Sequence, residues 1–184
     1  DPGVFLDTLV NLKKNNKWEL GNNWFQENKN KKEDWVGKSF DKLKIEAEEA
    51  KKNGGLIHPL QLALDVQNAL NEKDWLVIDG GNTHFWSEIA INLAGAKGKK
   101  LGGILHPGTF SMLGVGVSFA LSAKSNNPNS NVVLISGDGA FLSGGMSIET
   151  AFFEKKPIVV VIDNNGGLAS IGQQQERLFK SGKR

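Results

Sequence analysis

The chain has 184 residues, of which 39% are hydrophobic and 23% charged, with a formal net charge of +2. This is enough chain for one α/β domain with a real core, and too little charge to argue for a nucleic-acid partner. There is no cysteine, which removes disulfides, thiolate metal sites and cysteine nucleophiles, and no apolar run reaches the ~18 residues that span a bilayer.

No signal peptide is visible, so a cytoplasmic protein with no membrane partner is expected. Asp1 is not a natural start and Arg184 follows closely on the last motif, so the expectation is a piece of something longer. Residues 3–14 carry Val4, Phe5, Leu6, Leu9, Val10 and Leu12 at helical spacing and are expected as a short amphipathic helix. Residues 15–53 are rich in Lys, Glu and Asn, with Trp18, Trp24, Trp35 and Phe40 interleaved. Within them Glu33–Lys52 reads as a solvated helix closed by Gly54-Gly55. The charges around the tryptophans are mixed in sign, so these rings are expected to pin a linker onto the domain rather than to stack on bases.

From residue 56 the pattern changes. Pro59 can open a helix to about Leu70, with His58 as a capping or surface residue. Trp75–Asp79 reads as a buried strand, 83–94 as a helix, 95–110 as a Gly-rich loop and Met112–Lys124 as an apolar helix. A turn at 125–131 leads to a strand at Val132–Ser136, a helix from about Gly145 to Glu154, and a strand at Pro157–Asp163. Strands alternating with helices imply an α/β fold, a parallel sheet flanked by helices. The continuous Val/Ile runs fit strands buried on both faces. Ligands of such sheets sit at the carboxyl ends of the strands. These three strands end in Asp79-Gly80-Gly81-Asn82, Gly137-Asp138-Gly139 and Asp163-Asn164-Asn165-Gly166-Gly167.

At the second strand end the glycines allow close backbone approach, and a following helix favours phosphate. Asp138 would repel a phosphate unless a cation stood between them, and magnesium commonly bridges carboxylate and phosphate. Asn165 adds an amide oxygen, and Gly166-Gly167 can turn a carbonyl toward the same ion. The spacing 165 − 138 = 27 residues is one strand–helix–strand crossover, so the two loops can lie side by side. Gly37-Lys38-Ser39 is no Walker loop, because position 32 is Lys and no apolar strand precedes it. The dinucleotide pattern also fails, with Leu142 where a glycine belongs.

Gly-Asp-Gly followed by Asn-Asn at this spacing resembles the metal–diphosphate motif of thiamine diphosphate-dependent enzymes. Within them the chain resembles the acetolactate synthase group, and most of all its 2-hydroxyacyl-CoA lyases and oxalyl-CoA decarboxylases. Asp79-Gly80-Gly81-Asn82-Thr83 resembles their E-G-A-N-T loop, residues 108–116 (GTFSMLGVG) their G-T-F/W-G-x-M-G-x-G segment, and 141–150 (FLSGGMSIET) a helix start of the same enzymes. The likeness covers roughly residues 55–175 and implies the thiamine diphosphate-binding fold. Residues 1–14 then resemble the tail of a central domain, 15–54 a linker, and 55–184 a diphosphate-binding domain cut short at its C-terminus.

The resemblance implies thiamine diphosphate and Mg2+ as cofactors. Asp138, Asn165 and the Gly167 carbonyl match the metal ligands. Gly137, Gly139 and Ala140 match the diphosphate loop, with Gly81, Asn82 and Thr83 helping. Leu113 matches the apolar wedge that bends the cofactor, and the Ser111 carbonyl matches the acceptor for its aminopyrimidine. Ser111 stands for the usual Gly and Leu113 for the usual Met. Leu168-Ala169-Ser170 replaces the I-Y-K/R of coenzyme A-handling relatives. His106 is a candidate substrate-side proton donor or a loop-packing residue, His84 stands behind the cofactor residues, and Glu149 reads as structural.

The family's activating glutamate belongs to a pyrimidine-binding domain of the same or a neighbouring subunit, so the implied partners are that domain and a homo-dimer or homo-tetramer. The implied reaction joins or cleaves a carbon–carbon bond beside a carbonyl, with decarboxylation of a 2-keto acid or oxalyl-CoA as the alternative. Rivals of other classes are a non-catalytic or regulatory homologue and a nucleotide-binding domain.

Overall fold

The computed structural model describes residues 1–15, 22–52 and 54–179. Residues 1–42 and 43–184 form two compact units. The first holds α1 (Pro2–Asn15) and most of α2 (Asn22–Lys52). α1 buries none of its residues, so its apolar stripe is exposed or half-exposed. α2 begins at Asn22 rather than at Glu33, because residues 22–32 hold neither Gly nor Pro to stop the helix. Trp24 and Trp35 are 70% and 52% exposed. Trp18 lies outside the described residues. The Gly54-Gly55 stop holds: Gly55, at φ +74°, donates its N–H to the Lys51 carbonyl at 3.2 Å.

The second unit is a parallel sheet of β1 (Trp75–Asp79), β2 (Gly103–Leu105), β3 (Val132–Gly137) and β4 (Val159–Asp163), ordered β2-β1-β3-β4. Between and around them run α3 (Pro59–Ala69), α4 (Asn82–Ala96), α5 (Gly116–Asn126), α6 (Asp138–Gly144), α7 (Ile148–Phe153) and α8 (Ala169–Phe179). α3 starts as expected, with Pro59 in its first turn and His58 Nδ1 accepting the Leu60 N–H at 3.2 Å. β2 lies inside the stretch expected to be loop, since three residues carry no periodicity. α5 starts four residues later than the apolar run, because Ser111 (φ 49°) and Gly114 (φ 88°) are left-handed and break a helix there. α6 and α8 were not foreseen.

The core follows strand alternation. Val77, Val132 and Leu134 pack with Val117, Ala120 and Ala123 of α5. Leu76, Ile78 and Ile135, of opposite parity, are also fully buried, as are Leu60, Ala90 and Leu93 of α3 and α4. The expectation of strands buried on both faces holds for β1 and β3. It fails for β4, an edge strand whose Val159 is 54% exposed.

Candidate functional site

From β1 the chain steps outward to β2 and then returns past β1 to β3. Right-handed crossovers therefore carry α4 and α5 to opposite faces, and the loops after β1 and β3 diverge. That divergence opens a crevice at the carboxyl ends of the two strands, the usual ligand position in such sheets. An open cavity of ≈ 210 Å³ lies there, lined by Gly80, Gly81, Asn82 and Thr83 after β1, Ser111 and Leu113 before α5, Gly137–Ala140 after β3, and Asn165 and Gly167–Ile171 after β4.

The ladder explains why these segments meet. Asp79 is in register with Ser136, and Gly137 with Asp163, so all three strands end at one level. Gly80 makes the turn out of β1 at φ +121°, and a Cβ there would lie 3.0 Å from the Gly137 nitrogen. The first and second loops are thus in backbone contact. Thr83 donates its hydroxyl to the Asp163 carboxylate at 2.9 Å, a buried bond that ties the start of α4 to the end of β4.

Every residue singled out from the sequence as a cofactor or metal contact, from Gly81 through Gly167, lines this one cavity. Asp138 is half-buried, its Oδ1 accepting the Gly139 N–H at 2.8 Å, and it is the single ionisable group among the lining residues. Asn165 is exposed to the cavity mouth. The Gly167 carbonyl accepts the Ala169 N–H at 2.8 Å and keeps one lone pair. Leu113 is 42% exposed and lines the cavity. Leu168–Ile171 also line it and were missed as lining because α8 was not foreseen.

His106 does not line the cavity. Its side chain is exposed, its Nδ1 accepts the Gly108 N–H at 3.2 Å and its ring stands 4.9 Å from that of His84. Glu149 is exposed in the first turn of α7 and also stands apart from the lining.

Asp79 has a role that its neighbours in sequence do not announce. At the end of β1, 1% exposed, its Oδ2 accepts the N–H groups of Gly114 and Gly116 at 3.0 and 2.7 Å, while its Oδ1 is buried without a partner. Burial pushes its carboxyl above the usual value, and the backbone bonds oppose this without cancelling it. The carboxylate anchors the segment that presents Ser111 and Leu113. A second close approach fixes the same segment, since a Cβ on Gly144 would fall 1.9 Å from the Gly114 oxygen.

A single carboxylate among glycine backbone, two amides and apolar walls fits a ligand with a metal-bridged anionic end and an apolar body. Residues 79–183 match the family described as thiamine pyrophosphate enzyme, C-terminal TPP binding domain. The human 2-hydroxyacyl-CoA lyase 2 is 33% identical over 119 residues, 65% of this chain and 18% of that protein. The catabolic acetolactate synthase of Raoultella terrigena is 31% identical over 135 residues, 72% of this chain and 23% of that one. This chain thus spans about a fifth of the length of these relatives. In fold it is similar to the thiamine diphosphate-dependent 4-hydroxybenzoylformate decarboxylase of Rhodococcus jostii RHA1, with a TM-score of 0.55 at 22% identity, covering 68% of this chain and 23% of that one. A parallel sheet whose strand-end loops converge on one acidic cavity, within a sequence that matches over more than half its length, makes this chain a member of the thiamine pyrophosphate enzyme family, as its C-terminal cofactor-binding domain.

Proposed function

We propose that this chain holds the diphosphate and Mg2+ end of thiamine diphosphate in an enzyme that makes or breaks a carbon–carbon bond beside a carbonyl. Its substrates would be 2-keto acids or 2-hydroxyacyl compounds, as the names of the acetolactate synthase and 2-hydroxyacyl-CoA lyase relatives indicate for those proteins. The observation that carries this reading is Asp138, a lone half-buried carboxylate in the cavity beside the first turn of α6. A carboxylate there opposes a bound phosphate unless a divalent cation joins them.

Asp138, Asn165 and the free lone pair of the Gly167 carbonyl are the ligands such an ion would find. Ala140 N–H and the Asn82 side chain would hold diphosphate oxygens, Thr83 would help by fixing the start of α4 through its bond to Asp163, and Gly137, Gly139 and Gly81 would let the backbone come close. Leu113 and the Ser111 carbonyl would bend and orient the organic part. When bound, thiamine diphosphate supplies an electron sink for the carbonyl carbon; the chain's own part is to bind, orient and exclude water.

With Asp138 committed to metal, no ionisable lining residue remains to protonate the aminopyrimidine. That group must come from a pyrimidine-binding domain of the same or a neighbouring subunit, in a homo-dimer or homo-tetramer. Leu142, Met146 and Phe152, each at least 80% exposed on the α6–α7 side, support a covered face there. Residues 1–14 and 15–54 are read as the tail of a preceding domain and its linker, and the protein as cytoplasmic; no described helix is long and apolar enough to cross a membrane. The chain by itself is expected to turn over neither 2-keto acids nor 2-hydroxyacyl-CoAs.

The test is thermal unfolding with thiamine diphosphate and Mg2+, separately and together, for the wild type and Asp138→Ala. A ligand at a hundredfold excess over its dissociation constant stabilises by ~2.7 kcal/mol. A midpoint rise that needs both ligands and Asp138 supports the reading. No rise, or one that survives Asp138→Ala, overturns it.

A further inference from the structure

We propose that His84, Glu88 and His106 form a second metal site, separate from the Asp138 cavity, for a borderline divalent cation of the zinc type. His84 and Glu88 lie one turn apart on the same side of α4, and His106 comes from the segment after β2. One ligand atom from each lies within 4.8 Å of the others. His84 Nε2 and Glu88 Oε1 are 3.2 Å apart, close to the ~3.3 Å between two ligands of a tetrahedral zinc ion with bonds of ~2.0 Å. The two imidazole rings are 4.9 Å apart, centroid to centroid, and tilted by 47°.

The donor set decides the class of ion. Two imidazoles and one carboxylate suit zinc, cobalt or nickel far better than magnesium, which demands an octahedron of oxygens. Three protein ligands also leave a coordination position for water. His106 Nδ1 accepts a backbone N–H from Gly108 at 3.2 Å. Ligation through it gives up one exposed bond that water can replace. The site is open enough for an ion to enter: His84 is a quarter exposed, and Glu88 and His106 are exposed.

Occupancy would do something structural. α4 begins with Asn82 and Thr83, and the segment after His106 carries Ser111 and Leu113; all four line the cofactor cavity. An ion shared by His84, Glu88 and His106 would clip these two walls together from outside the cavity.

The chain has three histidines and no cysteine, which makes the assignment easy to test. Co2+ is titrated into the full chain, free of thiamine diphosphate, and the visible absorption of four-coordinate cobalt is followed; Zn2+ then displaces it. The expected result is one equivalent bound, unaffected by excess Mg2+, by Asp138→Ala or by His58→Ala. His84→Ala, His106→Ala and Glu88→Gln should each weaken binding by at least the ~10–100-fold that loss of an outer-sphere partner costs. Glu88→Gln and His106→Ala alter exposed side chains, so their effect reads ligation and not folding. Absence of saturable cobalt binding overturns the proposal, as does binding that survives all three substitutions. Binding that disappears with Asp138→Ala also overturns it, by placing the ion in the cofactor cavity.

Discussion

Two aspartates at opposite ends of β1 should respond to pH in opposite senses, and the difference tests how the cavity wall is held. Asp79→Ala leaves the buried Gly116 N–H without its acceptor and the half-buried Gly114 N–H open to water. One unsatisfied buried donor costs ~1–3 kcal/mol, and the loss at Gly114 adds less, so a destabilisation of ~2–3 kcal/mol is expected at pH 4. The folded-state value of Asp79 lies above the ordinary 3.8. Its contribution is therefore fully present below pH 3.8 and is lost as pH rises through the folded value. The cost of Asp79→Ala should accordingly shrink from pH 4 to pH 8. Asp74 has the other sign. Burial alone would raise it, but bonds from Asn71 and Asn131 outweigh that and hold it below 3.8. Its contribution is intact at higher pH and is lost only as pH falls through the folded value, so Asp74→Ala should cost the same at pH 4.5 and pH 8. Urea unfolding of the three proteins across this range measures both slopes, because all other titrations cancel in the differences. A cost of Asp79→Ala that is flat or grows with pH would refute the account of Asp79 as a buried, under-satisfied anchor.

Three further outcomes can be checked on the same material. Gly144→Ala puts a methyl 1.9 Å from the Gly114 carbonyl oxygen; overpacking of this kind costs ~1–3 kcal/mol, and a thermal midpoint equal to wild type would show that the segment yields freely. Thr83→Val removes the donor to buried Asp163 Oδ2 and should cost ~1.5–3 kcal/mol, as for hydrogen bonds to charged groups; a change under about 0.5 kcal/mol in urea would mean water takes its place. Leu113→Ala, by contrast, trims a side chain that is 42% exposed, so stability should move by less than ~1 kcal/mol while the midpoint shift produced by thiamine diphosphate and Mg2+ falls. A drop in ligand-free stability well beyond that with the shift intact would make Leu113 a core residue instead of a cavity wall.

The parts of the fold legible in the sequence are those whose cause is local. β1 and β3 announce themselves as apolar runs bounded by glycine, and α3 by Pro59 with the His58 cap. β2 is hidden because three residues that open on the second glycine of Gly102-Gly103 carry no pattern; its strand character comes from pairing with Trp75–Val77. α6 is hidden among glycines that read as a turn, and the late start of α5 depends on left-handed Ser111 and Gly114. The loops around the cavity were legible for a topological reason: strand ends of a parallel sheet converge, so their glycine, aspartate and asparagine residues had to meet. The tether from Asp79 to Gly114 and Gly116 was not, because a carboxylate that accepts backbone N–H groups 35 and 37 residues away leaves no mark on composition or spacing.

The two ends of β1 also separate holding a fold from building a site. Asp74 uses both oxygens, accepting from Asn71 and twice from Asn131, and closes the loops at the amino end of the sheet. Asp79 does the same kind of work at the carboxyl end with one oxygen, and its other oxygen is left buried and unpaired. Burial without full satisfaction is costly, which is why the same residue type is shifted down at one end and up at the other. The cost falls at the end where the backbone must bend around a cavity: Gly80 turns at φ +121° and Gly114 at φ 88°, and backbone that lines a ligand space cannot also supply every hydrogen bond the carboxylate could accept. Tension of this kind collects where structure is shaped for a ligand, and here it sits at the rim of the cavity that holds Asp138.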